Sequence, residues 1–205
     1  PLDRYYNYSA FEAIYLASEL QYAGTIKSLG FYKASGSDIS PIEAVTIYMK
    51  NTSESSLSDG TYSTTGYTQV YSGSFTNNAT SGWMSVDLSP QFNCNGSNLA
   101  ILIVKGYQAY TTSYPNWTYT TTTTTRVRCN HSDSAAPTSL TGSTSLPNLQ
   151  IKIFPDTSIL YPPQNLTAVA GNRSVILSWQ APFSGQPLGY KIYKNSALLT
   201  TVTGL

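Results

Sequence analysis

Three side chains that could act as nucleophile, base and acid follow one another at alternate positions: Cys129, His131 and Asp133. Alternate residues of a β-strand share a face, so the three groups would project together. Enzymes that use a thiol beside an imidazole also need donors that stabilise an oxyanion. No nucleophile motif or oxyanion loop accompanies this triplet. We therefore interpret His131 as a surface turn residue and expect no enzymatic activity.

The acidic residues are few and scattered. Glycoside hydrolases use two facing carboxylates, yet Glu12 and Glu19 are separated by an odd interval, which points them to opposite faces of a regular strand. No resident cofactor is expected. Calcium, which takes about six to eight oxygen ligands, is the one cation left open, with candidate ligands at Asp3, Glu12, Asp38 and Asp133. The alternative is that these four are ordinary solvated carboxylates.

Aromatic side chains concentrate in one segment between two predicted strands. Flat rings stack on the faces of sugars, and Tyr and Trp are frequent at recognition surfaces. We therefore predict a contact with carbohydrate or protein at Tyr107, Tyr110, Tyr114, Trp117 and Tyr119. The alternative is that the same rings pack a long loop onto the body of the domain.

The cysteines and the glycosylation signals concern export. Cys94 and Cys129 are the two cysteines of the chain. In an oxidising compartment they are expected to pair, closing a loop of about 35 residues worth roughly 3–4 kcal/mol; the alternative is two separate thiols. An excess of Asn-x-Ser/Thr sequons fits exported surface loops. These sequons begin at Asn7, Asn51, Asn78, Asn95, Asn116, Asn130, Asn165 and Asn172.

The shortage of charge excludes several classes of function. Charged residues are 10% of the 205 and the net charge is +1, whereas an ordinary domain has about 25%. Nucleic-acid binding needs a basic excess, and a structural zinc site needs about four Cys or His ligands, of which this chain has three in all. The longest aliphatic run, from Leu99 to Val104, is too short for a membrane span of about 20 residues. The sequence thus predicts an extracellular or cell-surface protein with neither a nucleic-acid partner nor a membrane span.

These side chains must be positioned by β-strands, because alternation with period two dominates the chain. The residues from Leu99 to Val104 are apolar on both faces, which predicts a central strand. Eight short strands within residues 1–155 predict an all-β, antiparallel, two-sheet jelly-roll sandwich. The predicted strands are 12–20, 25–34, 44–50, 68–76, 83–88, 98–105, 117–128 and 149–154.

A second, smaller region follows a Pro-rich linker at residues 156–162. Four short strands are predicted in residues 163–205, two of them from the alternation of Leu166, Ala168, Val175, Leu177 and Trp179. Three stretches of this region carry a resemblance: Pro163-Gln164-Asn165-Leu166, Ser178-Trp179, and Pro182 to Gly189-Tyr190-Lys191-Ile192-Tyr193. Through them the region resembles the first half of a fibronectin type III domain, an immunoglobulin-like sandwich. The resemblance implies that Trp179 and Tyr190 are core aromatics and that the last three strands would follow Leu205.

Such an incomplete fibronectin type III domain has open strand edges and a half-core too small to order alone. We therefore expect Trp179, Tyr190 and Leu198 to take part in assembly. They could be covered by the first domain, by strand exchange with another copy, or by a strand donated from another chain. A further alternative is that the chain is a piece of a much longer surface protein.

The first domain also carries a resemblance. Its segments occur in the expected order: Tyr5-Tyr6-Asn7-Tyr8, Ile14-Tyr15-Leu16-Ala17-Ser18-Glu19, Gly24-Thr25-Ile26, Val45-Thr46-Ile47-Tyr48-Met49, Gln69-Val70-Tyr71-Ser72-Gly73, Gly82-Trp83-Met84, Asn98-Leu99-Ala100-Ile101 and Pro147-Asn148-Leu149. They make residues 1–155 resemble a β-sandwich module of secreted surface proteins of Bacteroidota, similar to cleaved-adhesin and MAM-like jelly rolls. The resemblance implies export and a non-catalytic role, and it makes Asp133-Ser134-Ala135 a candidate O-glycan acceptor at Ser134.

Together these observations predict a non-catalytic extracellular module for adhesion or for assembly of a coat or fibre. Its partners would be other protein chains or copies of itself, and one of them would complete the half fibronectin domain. The alternative is a carbohydrate-binding module of a secreted hydrolase, with glycans as partners.

Overall fold

A computed structural model of the chain describes residues 1–182 and 187–203. Residues 183–186, inside the stretch that resembles a fibronectin domain, and residues 204–205, at the end of the predicted half-domain, lie outside the described part. The described chain is all-β, as predicted, with one short helix, α1 (Ala17–Leu20). Two compact units are present, Pro1–Phe154 and a second that begins at Pro155.

The first unit is a sandwich of antiparallel strands. Its elements are β1 (Tyr8–Tyr15), β2 (Gly24–Ser35), β3 (Ile42–Thr52), β4 (Gly60–Thr61), β5 (Thr68–Phe75), β6 (Gly82–Cys94), β7 (Asn98–Lys105), β8 (Asn116–Trp117), β9 (Tyr119–Thr121), β10 (Val127–Ser132), β11 (Ser139–Ser143), β12 (Ser145–Pro147) and β13 (Leu149–Pro155).

One layer is a seven-stranded sheet in the order β4-β11-β10-β1-β7-β3-β5. The aliphatic run from Leu99 to Val104 forms β7, which lies between β1 and β3. Its residues Leu99 to Ile103 are buried on both faces of the sheet. The sequence therefore predicted this central strand correctly, because only a covered strand can be apolar at every position.

The other layer is a four-stranded sheet in which β2 lies between β13 and β6 and also pairs with β8. The core fills the space between the two layers, as the ring centroids of Phe11 in β1 and Phe31 in β2 are 6.5 Å apart. Phe31 also contacts Phe75 of β5 at 6.3 Å. Strands β9 and β12 form a separate small ribbon.

Three predicted strands differ from the structure, one of them being the strand predicted at 83–88, which continues to Cys94 as β6. The strand predicted at 12–20 begins earlier, at Tyr8, and ends at Tyr15; the chain then turns into α1, where the Glu19 carboxylate accepts the Leu16 amide at 2.8 Å. The strand predicted at 117–128 is divided into β8, β9 and β10. Within its threonine run, Thr122 Oγ1 donates to the Thr124 carbonyl at 2.7 Å, a local bond that competes with strand pairing.

The predicted disulfide is wrong, because Cys94 and Cys129 are both free thiols. Cys94 is buried at the end of β6, opposite Gly24, whereas Cys129 lies in β10 opposite Phe11. The two cysteines therefore belong to different sheets. A disulfide requires Cα atoms within about 7 Å, and stacked sheets lie about 10 Å apart.

The second unit consists of two antiparallel hairpins. β14 (Gln164–Gly171) pairs with β15 (Ser174–Gln180), and β16 (Tyr190–Lys194) pairs with β17 (Ala197–Val202). An edge-to-face contact between Trp179 and Tyr190, at 5.3 Å, joins the hairpins. Many of the other large apolar side chains are exposed: Leu166, Val169, Val175, Ile176, Leu188, Tyr193, Leu198 and Leu199.

Within residues 1–182 and 187–203, no helix has the length and apolar character that crossing a membrane requires.

Candidate ligand-binding site

A cleft of about 300 Å³ opens in the first unit, beside the core residue Phe11. The N-terminal residues, strands β1 and β10, and the segment from Tyr114 to Tyr119 form its walls. Antiparallel pairing places Ser9 opposite His131 and Phe11 opposite Cys129. Because residues two apart on a strand share a face, these four side chains line the cleft, with Phe11 belonging to the core.

The five aromatic residues predicted from the sequence divide into two groups. Tyr114, Trp117 and Tyr119 line the cleft, whereas Tyr107 and Tyr110 are exposed elsewhere on the first unit. Tyr107 contacts Tyr8, with ring centroids 5.7 Å apart. The structure therefore brings together only the second half of the predicted cluster.

Trp117 has mainly a structural role in this wall. Its ring contacts Phe31 and Phe75, each at 6.3 Å, and its indole N–H donates to the Leu2 carbonyl at 3.1 Å. Tyr119 is the opposite case, because 59% of it is exposed at the cleft. Tyr119 is thus the ring best placed to stack on a ligand.

Two further tyrosines, Tyr5 and Tyr6, lie beside the cleft and were not predicted as site residues. Tyr6 stacks on the His131 ring at 3.6 Å, and Tyr5 contacts both Tyr6 and Tyr114, at 5.1 and 5.2 Å. These contacts form a continuous aromatic rim from His131 to Tyr114. The signal that could have found it is the run Tyr5-Tyr6-Asn7-Tyr8, which supported only the resemblance.

Two buried cations hold the N-terminal segment that carries this rim. Lys105 Nζ donates to the carbonyl oxygens of Tyr6 and Asn7, at 3.0 and 2.6 Å. Arg4 donates to the Ala109 carbonyl at 2.6 Å and forms an ion pair with Asp38 at 3.5 Å. Burial, with a smaller contribution from the nearby Arg4, lowers the pKa of Lys105 to about 8.

The candidate calcium ligands are not assembled into one site. Glu12 is buried on β1, where it forms an ion pair with Arg128 at 2.6 Å. Asp38 pairs with Arg4, and Asp133 accepts the Asn7 amide at 3.1 Å. The described residues contain no group of three or more His, Cys, Asp or Glu side chains that could hold a metal. A calcium ion here stays a prediction, and backbone carbonyls would have to complete its shell.

The Cys129, His131 and Asp133 triplet does not form a relay. His131 Nδ1 lies 3.4 Å from the carboxylate of Asp3, and Asp133 contacts Asn7 instead. Desolvation raises the pKa of the Cys129 thiol, which favours the unreactive protonated form. The geometry therefore offers a lined cleft without an activated nucleophile.

The remaining predicted residues lie outside the cleft. Ser134 is exposed in the turn after β10, and its amide donates to Ser132 Oγ at 3.1 Å. In the second unit Trp179 and Tyr190 contact one another, and their Nε1 and hydroxyl atoms are buried without a hydrogen-bond partner. Leu198 is exposed.

Comparison with known proteins gave no match among protein-family models, curated proteins or solved structures.

Proposed function

We propose that this chain is a non-catalytic binding module of an extracellular or cell-surface protein, and that its first unit mediates adhesion by binding a glycan in the cleft. The observation that carries this proposal is the exposed Tyr119 ring beside a cleft of about 300 Å³, which is lined mainly with rings, apolar groups and neutral polar groups. Small-ligand pockets begin at about this volume.

The chemistry of the lining suits a sugar. A pyranose has an apolar face that stacks on a flat ring and a rim of hydroxyls that seeks hydrogen-bond partners. Polar residues of the same cleft offer backbone or side-chain groups that can meet such hydroxyls: Asn116, Thr118, Asn130, Ser143 and Ser145. The jelly-roll and half-fibronectin resemblances of the two units support the same proposal, since they imply a secreted, non-catalytic surface protein.

Glycan-array binding of the full chain tests this function, with Tyr119→Ala as the key variant and Tyr107→Ala as the matched control. The two rings are 59% and 61% exposed, so neither substitution should disturb the core. Loss of one stacking ring costs about 1.4 kcal/mol, or about tenfold in affinity. We expect that loss for Tyr119→Ala and unchanged binding for Tyr107→Ala. Binding of no glycan by the wild type, or equal effects of both substitutions, would reject the proposal.

Self-assembly through the second unit is a second candidate function, favoured by the exposed apolar side chains of the hairpins. We propose a second copy of this chain as the occupant. The described residues after Asp156 carry three charged side chains, Arg173, Lys191 and Lys194, so the exposed apolar side chains of the hairpins can meet another copy with few like charges in between. Both two-stranded ribbons also have free edges on which strands can add.

Sedimentation equilibrium over a range of concentrations tests this assembly. We expect a dimer or larger species with Kd in the range of about 1 mM to 1 μM, and its loss when residues 160–205 are deleted. The double variant Val175→Lys, Leu199→Lys should weaken association without removing a strand, because both side chains are exposed. A full chain that stays monomeric at the highest concentrations would refute the candidate.

A further inference from the structure

The charges around the cleft indicate which class of glycan it accepts; this inference rests on the proposed function. Among the described residues that line the cleft, Asp3 is the one carboxylate, and neither Lys nor Arg occurs there. The carboxylate of Asp3 is held in place, because it accepts the Tyr5 amide at 2.8 Å and lies 3.4 Å from His131 Nδ1. An anionic ligand would therefore meet a fixed negative group.

The other titratable groups of the lining do not reverse this charge. The His131 imidazole lies against the same carboxylate, at 3.4 Å, so it can at most balance that one negative charge. No Lys or Arg side chain among the described lining residues offsets the carboxylate of Asp3.

A buried hydroxyl provides a second, independent observation. Ser9 is 3% exposed and lines the cleft, yet its Oγ has no hydrogen-bond partner in the structure. Buried polar groups are almost always paired with protein, water or ligand. The register places Ser9 opposite His131, so a ligand hydroxyl that reaches Ser9 would also lie beside the imidazole.

We propose that the cleft accepts a neutral sugar, namely a hexose or an N-acetylhexosamine without an acidic group, and that it discriminates against sugars bearing a carboxylate. Ser9 Oγ forms a hydrogen bond with a ligand hydroxyl, and Asp3 repels acidic sugars. Neutral hydroxyls lose little on entering a site lined with neutral donors and acceptors. A carboxylate would lose its hydration there without gaining a cation.

The first test presents the full chain, near pH 7.5, with neutral glycans and with size-matched glycans that end in sialic or uronic acid. Neutral glycans are expected to bind at least about fivefold more tightly. Asp3→Asn keeps the size of the side chain and is expected to improve binding of the acidic glycans at least about fivefold. If only acidic glycans bind, this inference fails while the proposed function stands. If no glycan binds, both fail.

The second test uses Ser9→Ala, measured by calorimetric titration with the best neutral glycan and by thermal unfolding. Because Ser9 Oγ has no protein partner, its removal should leave the melting temperature unchanged or raised. Glycan affinity should fall about threefold to tenfold, the loss expected for one hydrogen bond. Unchanged affinity in a folded variant would show that Ser9 does not contact the ligand. Ser134→Ala, at an exposed serine outside the cleft, is the control and should change neither quantity.

Discussion

Lys105 gives a pH-dependent test of how the first unit holds its N-terminal segment. Its side chain is fully buried and bonds to the carbonyl oxygens of Tyr6 and Asn7. Burial, with a further contribution from Arg4, lowers its pKa from 10.5 to about 8. Between these two pH values the folded chain has lost a proton that the unfolded chain still binds.

The free energy of unfolding should therefore rise with pH across this window. Below pH 8 the whole cost of burying the charged ammonium opposes folding, and above pH 10.5 both states are neutral and the cost is gone. The difference between the two pKa values corresponds to about 3 kcal/mol. Lys105→Met carries no proton, so wild-type stability should gain about 3 kcal/mol relative to this variant as the pH rises through the window.

Urea-induced unfolding followed by tryptophan fluorescence measures this gain, and urea leaves the ionic strength constant. Lys152→Met, which removes an exposed ammonium, is the control and should keep the wild-type pH dependence. If the free energy of unfolding changed with pH in the same way for the wild type and for Lys105→Met, the reasoning would be refuted. They would mean that the ammonium stays hydrated and that the segment does not close over it.

Two further predictions concern the cysteines and a glycine beside the cleft. In the folded chain a thiol reagent should label the exposed Cys129 much faster than the buried Cys94, as read by mass spectrometry; a disulfide would instead protect both until reduction. Gly36→Ala should lower the free energy of unfolding in urea by about 2 kcal/mol or more. Gly36 has φ of +112°, and an added Cβ would lie 2.2 Å from the Tyr114 carbonyl oxygen; wild-type stability of this variant would contradict the strain.

Sequence periodicity predicted the strands well where burial is one-sided or complete. β3, β5 and β7 lie within two residues of the predicted ranges 44–50, 68–76 and 98–105. The threonine run was predicted wrongly because threonine has a high strand propensity and can also bond to its own backbone. Thr122 makes such a bond, and the strand is interrupted there. Propensity alone does not decide between these two uses of one hydroxyl.

The candidate site was only partly predictable. The sequence identified Tyr114, Trp117 and Tyr119 because they are neighbours along one segment. Ser9 reaches the same cleft through the pairing of β1 with β10, and Tyr5 and Tyr6 lie beside it through ring contacts with Tyr114 and His131. Each of these contacts spans more than a hundred residues of the chain. Composition carries no information about such a register. The error over the disulfide has the same origin, since spacing along the chain does not reveal which sheet a cysteine joins.

The positions of the buried charges explain why a low-charge sequence can suit a binding surface. Lys33, Lys105, Arg4, Glu12 and Arg126 are buried in the described chain, where they bond to carbonyl, amide or ionic partners. Arg4 and Lys105 hold the segment that forms the aromatic rim, so the cations near the cleft position it and do not line it. Apart from Asp3 and His131, the surface left for a ligand consists of rings, apolar groups, amides and hydroxyls. A charged ligand would lose hydration on such a surface without compensation, and this asymmetry favours recognition of neutral sugars by stacking and hydrogen bonds.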